Sequence, residues 1–465
     1  MEQSSQGKKV FYGFWVVAGC FVLLFLFAGA GFYSFSIFIK PLENEFGWSR
    51  SAISLAMSIY MIVHGIAGPF VGHATETYGP RKVMTFSALM AGVCFILVSF
   101  VSSLWSFYLA YTLLSIGTTG IGFIPVSTVL ARWFVKRRGT AIGFAMVGIA
   151  VGGLVMAPLV GLIISHFSWR AAFVFMGVLV WLLALPVTLF VIKGNPAEMG
   201  LLPDGDGDEP AATPDPHAPP SQTGSSAATT ELEEGWPLRA AVRTSTFFWL
   251  ATTFFLGPIA QMGMLQHQVP LIVDAGISQA MAATALGLTA GLGGLGKLSF
   301  GRISEVVPFR FAIMLCFGLQ ALGVLVLFNA QSIAMVWVYV GIFGFAMGGV
   351  IVLLPLAVGH FFGLASFGVI MGTLSLILAI GNASGALISG VIYDLLGSYR
   401  YAMIAYMGLY AIAAASIVLA GKPRRYPGPE TRWESDRPLN RPAQSAPPSS
   451  CRPSEEKPGG DDRGR

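Results

Sequence analysis

The sequence predicts an all-α membrane protein of twelve transmembrane helices, arranged as two six-helix pseudo-repeats. Three observations predict it. Of 465 residues, 54% are hydrophobic and only 11% are charged, against about 25% charged in a soluble domain. Twelve apolar runs approach the length, about 20 residues, that a hydrocarbon core of about 30 Å demands of a helix. The second half of the chain also repeats landmarks of the first at a constant offset.

Apolar runs read against turn and charge signals place spans at 13–39, 50–71, 82–102, 105–131, 139–165, 169–192, 246–272, 279–300, 310–329, 332–359, 365–391 and 399–421. Residues 1–12 are polar at the start and carry Lys8 and Lys9. The apolar run behind them is too long for a signal-peptide core, so no cleavable signal is expected. Residues 13–193 form the first bundle and 246–421 the second. Between them, 194–245 is rich in Pro, Asp, Gly, Ser, Thr and Ala. Such a composition cannot bury enough apolar surface to offset ordering entropy, so this linker and the tail 422–465 read as mostly disordered. Trp236 and Leu238 are placed to start a short surface helix before the seventh span.

Lys and Arg concentrate on one side, at Lys8–Lys9, Arg81–Lys82, Arg132, Lys136–Arg138, Lys193, Arg302, Arg310, Lys422 and Arg424–Arg425. The other side holds Lys40, Arg50, Arg170 and Arg400. The positive-inside rule then puts both termini in the cytoplasm, and the surrounding membrane is expected to be the plasma membrane, the inner one in a bacterium.

An offset of 229 residues aligns the halves. Pro41-Leu42, Gly47 and Ser49 correspond to Pro270-Leu271, Gly276 and Ser278; Gly72, Glu76 and Arg81 to Gly301, Glu305 and Arg310; Gly143, Gly152, Ala157 and Gly161 to Gly372, Gly381, Ala386 and Gly390. The glycine-rich fifth and eleventh spans read as close-packing faces between the two bundles rather than as a substrate site.

Several function classes are excluded. The net charge of +5 sits in short loops, which does not suggest nucleic-acid binding. Cys20, Cys94 and Cys316 lie in apolar runs and Cys451 in the tail, a distribution with neither a disulfide framework nor a metal-ligand spacing. No phosphate-cradling loop and no histidine beside a nucleophile appears, so no enzyme, cofactor or metal is expected, and work must come from gradients.

One charge stands out. Lys297 lies inside the eighth span, about one turn before Gly301-Arg302. It can snorkel to the headgroups, or face inward and bind an anion, since intramembrane ionisable residues are functional candidates. No Asp or Glu occupies a span interior; Glu43, Glu45, Asp274 and Asp394 lie at ends. A carrier of organic cations would bury a carboxylate, whereas a lysine without one calls for an anion brought by the substrate.

The loop Gly72-His73-Ala74-Thr75-Glu76-Thr77-Tyr78-Gly79-Pro80-Arg81-Lys82 resembles the signature between spans two and three of major facilitator transporters, with Glu76 in place of the usual Asp. In that fold parallel six-helix repeats flank a midplane substrate site. The resemblance implies a gating latch of Glu76 with Arg81, repeated by Glu305 and Arg310. Narrower likenesses follow. Tyr12-Gly13-Phe14-Trp15-Val16-Val17, Arg132-Trp133-Phe134-Val135-Lys136-Arg137-Arg138-Gly139-Thr140-Ala141-Ile142-Gly143 and Asn195-Pro196 with Met199-Gly200-Leu201-Leu202-Pro203-Asp204 resemble segments of monocarboxylate transporters and their bacterial relatives, including oxalate–formate exchangers. The resemblance covers about residues 10–421.

It implies a substrate-binding cation at Lys297, where that family carries an arginine four residues before a glycine. The bidentate fork is replaced by a point charge. The family's proton-handling aspartate falls at Gly293, and a first-span lysine of animal members falls near Tyr33. Beside Lys297, the polar candidates for the substrate are Gln261, His267, Tyr33, Asn382, Tyr111 and Thr118. Gln261 shares a helix face with Gln268, and Gln266 and Thr119 add further polar groups. Lys297, His267 and His64 are the candidates for coupling to protons. The reading is a monomeric carrier of small organic anions, monocarboxylates of the lactate and pyruvate type, working as proton symporter or anion exchanger. The alternatives are an oxalate or dicarboxylate exchanger, a non-transporting anion sensor and a multidrug exporter.

Overall fold

Two features repeat with the expected offset and set the helix boundaries. Gly47 and Gly276 take left-handed backbone angles, φ +66° and +86°, which glycine adopts at no steric cost. Two residues on, Ser49 and Ser278 cap the next helix, their hydroxyls accepting from the N–H groups of Ala52 and Met281. The sequence landmarks are therefore a helix stop followed by a helix start, used once in each half.

The computed structural model describes residues 11–134, 137–205, 236–363 and 367–421. In it, α1 is Gly13–Phe46, α2 Arg50–Tyr78, α3 Pro80–Val98, α4 Leu104–Trp133, α5 Gly139–His166 and α6 Trp169–Val191. The second half supplies α7 Ser245–Asp274, α8 Gln279–Val306, α9 Phe309–Phe328, α10 Ile333–Phe362, α11 Val369–Leu396 and α12 Arg400–Leu419. Eleven of these are long and apolar enough to cross a membrane among the described residues. The twelfth, α8, has the length but is diluted by glycines, Lys297 and Arg302. The protein is an all-helical, multi-pass membrane protein.

Several helices run past the predicted ends. α1 continues through Pro41 to Phe46, and α7 through Pro270 to Asp274. A proline removes one ladder bond without ending a helix whose neighbours hold it. The linker is described only at its ends. There Pro196–Met199 and Pro203–Gly205 form short turns, and Leu238–Ala241 forms a helical turn preceded by Trp236, whose N–H donates to the Phe362 carbonyl at 3.0 Å. The linker's centre and the tail expected at 422–465 lie outside the described residues.

Contacts between the halves run through α5 with α8, α2 with α11, and α1 with α7. The glycines do not all serve that interface, as the sequence suggested. Gly161 and Gly390 do, packing on Ala283 of α8 and Ser51 of α2. Gly152 and Gly381 instead seat α5 on α1 and α11 on α7, within each half. A Cβ on them would lie 2.3 Å from the Phe25 carbonyl oxygen and 2.6 Å from that of Phe255. With lipid on the outside, such backbone approach rather than apolar burial holds helices together.

Candidate functional site

A cavity of about 370 Å³ opens between the halves. Its walls come from α1, α2 and α5 on one side and from α7, α8, α10 and α11 on the other. α1 reaches it through a π-helical turn, Gly29–Tyr33. The wider turn turns Phe32 and Tyr33 to the cavity, and the Ser34 hydroxyl donates to the Gly29 carbonyl at 2.7 Å. Such single wide turns recur at functional sites. α10 contributes Met347 and Gly348, where its helix is interrupted.

Lys297, Gln261, Tyr33, Asn382 and His64 all line this cavity. Among the described residues, Lys297 is the only charged one in its walls, and no hydrogen bond or ion pair to it occurs there. Gln261 is 7% exposed. Its Nε2 donates to the Met347 carbonyl at 3.4 Å, and its Oε1 is buried without a partner. A carbonyl only accepts, so the amide nitrogen must face Met347, and the amide oxygen is left as the unpaired atom of a residue in the cavity wall.

His64 is oriented by a similar count of protons. Its Nδ1 lies 2.9 Å from the Thr119 hydroxyl, which donates its single proton to the Ser115 carbonyl at 2.7 Å. Nδ1 therefore carries the imidazole proton, and the Nε2 of the neutral ring is an acceptor. The ring stacks on Phe27 at 5.2 Å and lies 6.2 Å from that of Tyr60. Tyr60 and Phe27 also line the cavity; an apolar or aromatic side chain in a long span gives no sequence signal of that.

Three expected substrate contacts lie elsewhere. Tyr111 is buried among Phe35, Phe107 and Tyr60, behind the cavity wall. Thr118 accepts from the Tyr60 hydroxyl at 2.7 Å and donates to the Leu114 carbonyl, so it props Tyr60. His267 sits beyond the cavity. Its Nε2 donates to the Ala386 carbonyl at 2.9 Å, 3.0 Å from the Ser54 hydroxyl, and its Nδ1 accepts from Tyr399 at 2.8 Å. Gln268 donates to Thr289, while both amide atoms of Gln266 are buried without a partner.

His267 belongs to a polar cluster that joins the halves at one end. Its centre is Arg50, which is 0% exposed. The guanidinium donates to Asp274 at 2.6 and 3.0 Å, to Glu43 at 3.1 to 3.2 Å and to the Tyr399 hydroxyl at 2.8 Å, with the Tyr393 ring 3.7 Å away. Lys40 pairs with Asp274 and Glu43 at 2.9 and 3.1 Å. Asp394 of α11 accepts from the N–H groups of Arg50 and Ser51 at 3.0 and 2.8 Å, so a carboxylate of one half caps a helix of the other.

The expected latch is at the other end, and its described residues form no ion pair with one another. Glu76 and Arg81 are exposed and not ion-paired among the described residues. Arg310 is half-buried without an ion pair there, and the Glu305 side chain lies outside the described residues. The sequence offered Arg50 only as a minor charge of the less basic side. The signal for the closed cluster was the set of acids at span ends, Glu43, Asp274 and Asp394.

Eleven membrane-length apolar helices among the described residues, with α8 beside them, lie in two repeated halves around a cavity, an arrangement that defines a multi-pass membrane transporter. Residues 21–373 match the Major Facilitator Superfamily, and the chain belongs to that family. It is 25% identical to monocarboxylate transporter 12 of Rattus norvegicus, over 88% of this chain and 85% of that protein. It is 22% identical to the oxalate:formate antiporter of Oxalobacter formigenes, over 70% of this chain and 71% of that one. Among solved structures, a bacterial homologue of the human lysosomal transporter Spinster, in an inward-facing and occupied conformation, superposes with a TM-score of 0.67. The identity is 17%, over 88% of this chain and 97% of the other.

Proposed function

We propose that this chain carries small organic monoanions, monocarboxylates foremost, across the plasma membrane by alternating access, as proton symporter or anion exchanger. One observation carries the reading: among the described residues, a lone unpaired lysine stands in a cavity between the halves that no carboxylate lines. Burying an ammonium without a counter-charge is costly. A substrate carboxylate entering the cavity supplies that counter-charge. Asn382 and Tyr33 stand on the same walls as hydrogen-bond donors. A single cation suits a monoanion better than oxalate, whose second charge would go unmatched. With the basic loops in the cytoplasm, the Arg50 cluster is the outer seal, and the cavity faces inward.

Lys297 is the first candidate for proton coupling, since an amine can give up its proton as the anion leaves. His64 is the second. The apolar character of the walls favours one rival, an exporter of neutral apolar compounds, which would be indifferent to Lys297. Counterflow in proteoliposomes with labelled lactate, pyruvate, formate, acetate and oxalate at two pH values decides between them. Exchange of a monocarboxylate that is lost in Lys297→Ala supports the reading. Exchange with unchanged affinity in that variant refutes it, and binding without exchange identifies a sensor.

A further inference from the structure

Gln261 holds an acceptor where an anion carrier should want donors. Its amide nitrogen is committed to the Met347 carbonyl, and its Oε1 is buried with no partner. Leaving a buried acceptor unpaired is unfavourable, and a second acceptor cannot relieve it. A carboxylate oxygen placed there would meet the carbonyl oxygen head on. The relief must come from an O–H or N–H.

The Gln261 amide and the Lys297 backbone meet the same stretch of α10. Gly348, the residue after the carbonyl that Gln261 holds, packs so tightly on α8 that a Cβ on it would lie 2.7 Å from the Lys297 backbone nitrogen. Gln261 and Lys297 both line the cavity, as do Met347 and Gly348. A second acceptor, the His64 Nε2, belongs to the same walls. Apart from Asn382, Tyr33 and Tyr60, the remaining surface is apolar and sulfur-rich, with Phe27, Met262 and Leu265 among it. At about 370 Å³ the cavity falls in the range, roughly 300–1,000 Å³, of sites that enclose drug-sized ligands rather than two- or three-carbon acids.

We infer that the cavity selects a monocarboxylate that carries a hydrogen-bond donor close to its carboxylate and an apolar body larger than that of a three-carbon acid, as an aryl or branched-alkyl 2-hydroxy acid does. The carboxylate meets Lys297, the hydroxyl donates to the Gln261 Oε1, and the apolar body fills the space beside Phe27 and Met262. This rests on the carboxylate reading above and adds the donor and the size. Oxalate and formate satisfy neither demand, since they bring no donor at neutral pH and leave the walls wet.

The test uses matched pairs on the full-length carrier purified in detergent: mandelate against phenylacetate, and 2-hydroxyisocaproate against 4-methylvalerate, with lactate for size. Binding is read by titration calorimetry. The hydroxy member of each pair should bind about tenfold more tightly or better, because a site built to pair a hydroxyl rejects the analogue lacking it. Mandelate should also bind more tightly than lactate. In Gln261→Leu the ratio within each pair should collapse toward one; the wild-type ratio decides the matter even if that variant does not fold. Equal binding within the pairs, or lactate as the tightest ligand, overturns the inference while the carboxylate reading stands, provided Lys297→Ala abolishes binding. If no acid binds the wild-type carrier, both readings fall.

Discussion

Arg50 of the first half and Asp274 of the second face each other in a fork, Nη1 to Oδ2 at 2.6 Å and Nη2 to Oδ1 at 3.0 Å. The pair is the hub of the polar cluster that holds α1, α2, α7, α11 and α12 together at one end. The guanidinium is fully enclosed, while the Asp274 side chain keeps 26% of its surface exposed. An ion pair so placed has a poor claim to net stability, but breaking it on one side strands a buried charge. Any opening of this end must therefore rehydrate Arg50 and release Asp394 from the start of α2 at the same time.

Arg50→Ala should unseal this end. Loss of one partner of a buried pair costs about 3–5 kcal/mol, here toward the lower figure because Asp274 and Glu43 are partly exposed. Ser54 is fully buried beside His267. In a Cys451→Ser background, a cysteine at position 54 should resist a membrane-impermeant maleimide in the otherwise native chain and react readily with Arg50→Ala. Arg50→Lys should react nearly as fast, since an ammonium cannot make the fork. Equal labelling in all three would show that the cluster does not gate access.

Lys297→Ala should abolish exchange of carboxylates while leaving surface expression intact. Lys297→Arg separates charge from proton exchange. Its guanidinium still neutralises the anion but stays protonated at any workable pH. It should therefore retain anion–anion exchange and lose substrate-driven proton uptake, measured with a pH dye inside liposomes. Proton uptake unchanged in Lys297→Arg would move the coupling to His64.

Gln261→Leu should make the empty carrier more stable even as it blunts recognition. The native amide keeps one weak bond at 3.4 Å and one unpaired oxygen. An apolar side chain of similar volume removes the unpaired acceptor at the cost of the weak 3.4 Å bond to the Met347 carbonyl, a net gain of up to about 1 kcal/mol. The apparent Tm of the ligand-free protein should rise, and the rise should shrink in saturating mandelate. A lower Tm without ligand would mean that the bond to the Met347 carbonyl outweighs the unpaired oxygen.

The architecture was readable from residue types because its signals are local. Ser49 and Ser278 are caps, Gly47 and Gly276 are stops, and apolar length is a span. Lys297 was legible as well, since a charge has little company in α8. Less legible was whatever depends on which way a helix is turned. Gln261, His267 and Gln268 all sit in α7 as plausible ligands, yet only Gln261 faces the cavity, and only its hydrogen-bond partner reveals that it presents an oxygen rather than an N–H. Tyr111 and Tyr60 likewise read alike in sequence. The π-helical turn at Gly29–Tyr33 shifts the register of α1 by one residue, which no periodicity argument anticipates. Arg50 was hidden because its partners are distant in sequence and lie at span ends, where charges are ordinary.

The internal repeat makes a paired prediction that contact geometry alone does not. Gly143 and Gly372 occupy equivalent positions, and a Cβ on either meets no atom within 4 Å. Gly152 and Gly381 are equally matched, and a Cβ on either runs into a backbone carbonyl of α1 or α7 at 2.3 or 2.6 Å. A carbonyl held in a helix ladder cannot step aside as a flexible side chain can, so each pair of helices must part along its length. Gly143→Ala and Gly372→Ala should then be neutral or slightly stabilising, by up to about 1 kcal/mol from helix propensity. Gly152→Ala and Gly381→Ala should lower the apparent Tm of the detergent-purified protein, by similar amounts in the two halves. The four variants measured side by side check both the packing and the repeat. If Gly381→Ala is harmless while Gly152→Ala is not, α11 does not lie on α7 as α5 lies on α1, and the equivalence of the two halves fails at the helices that flank the cavity.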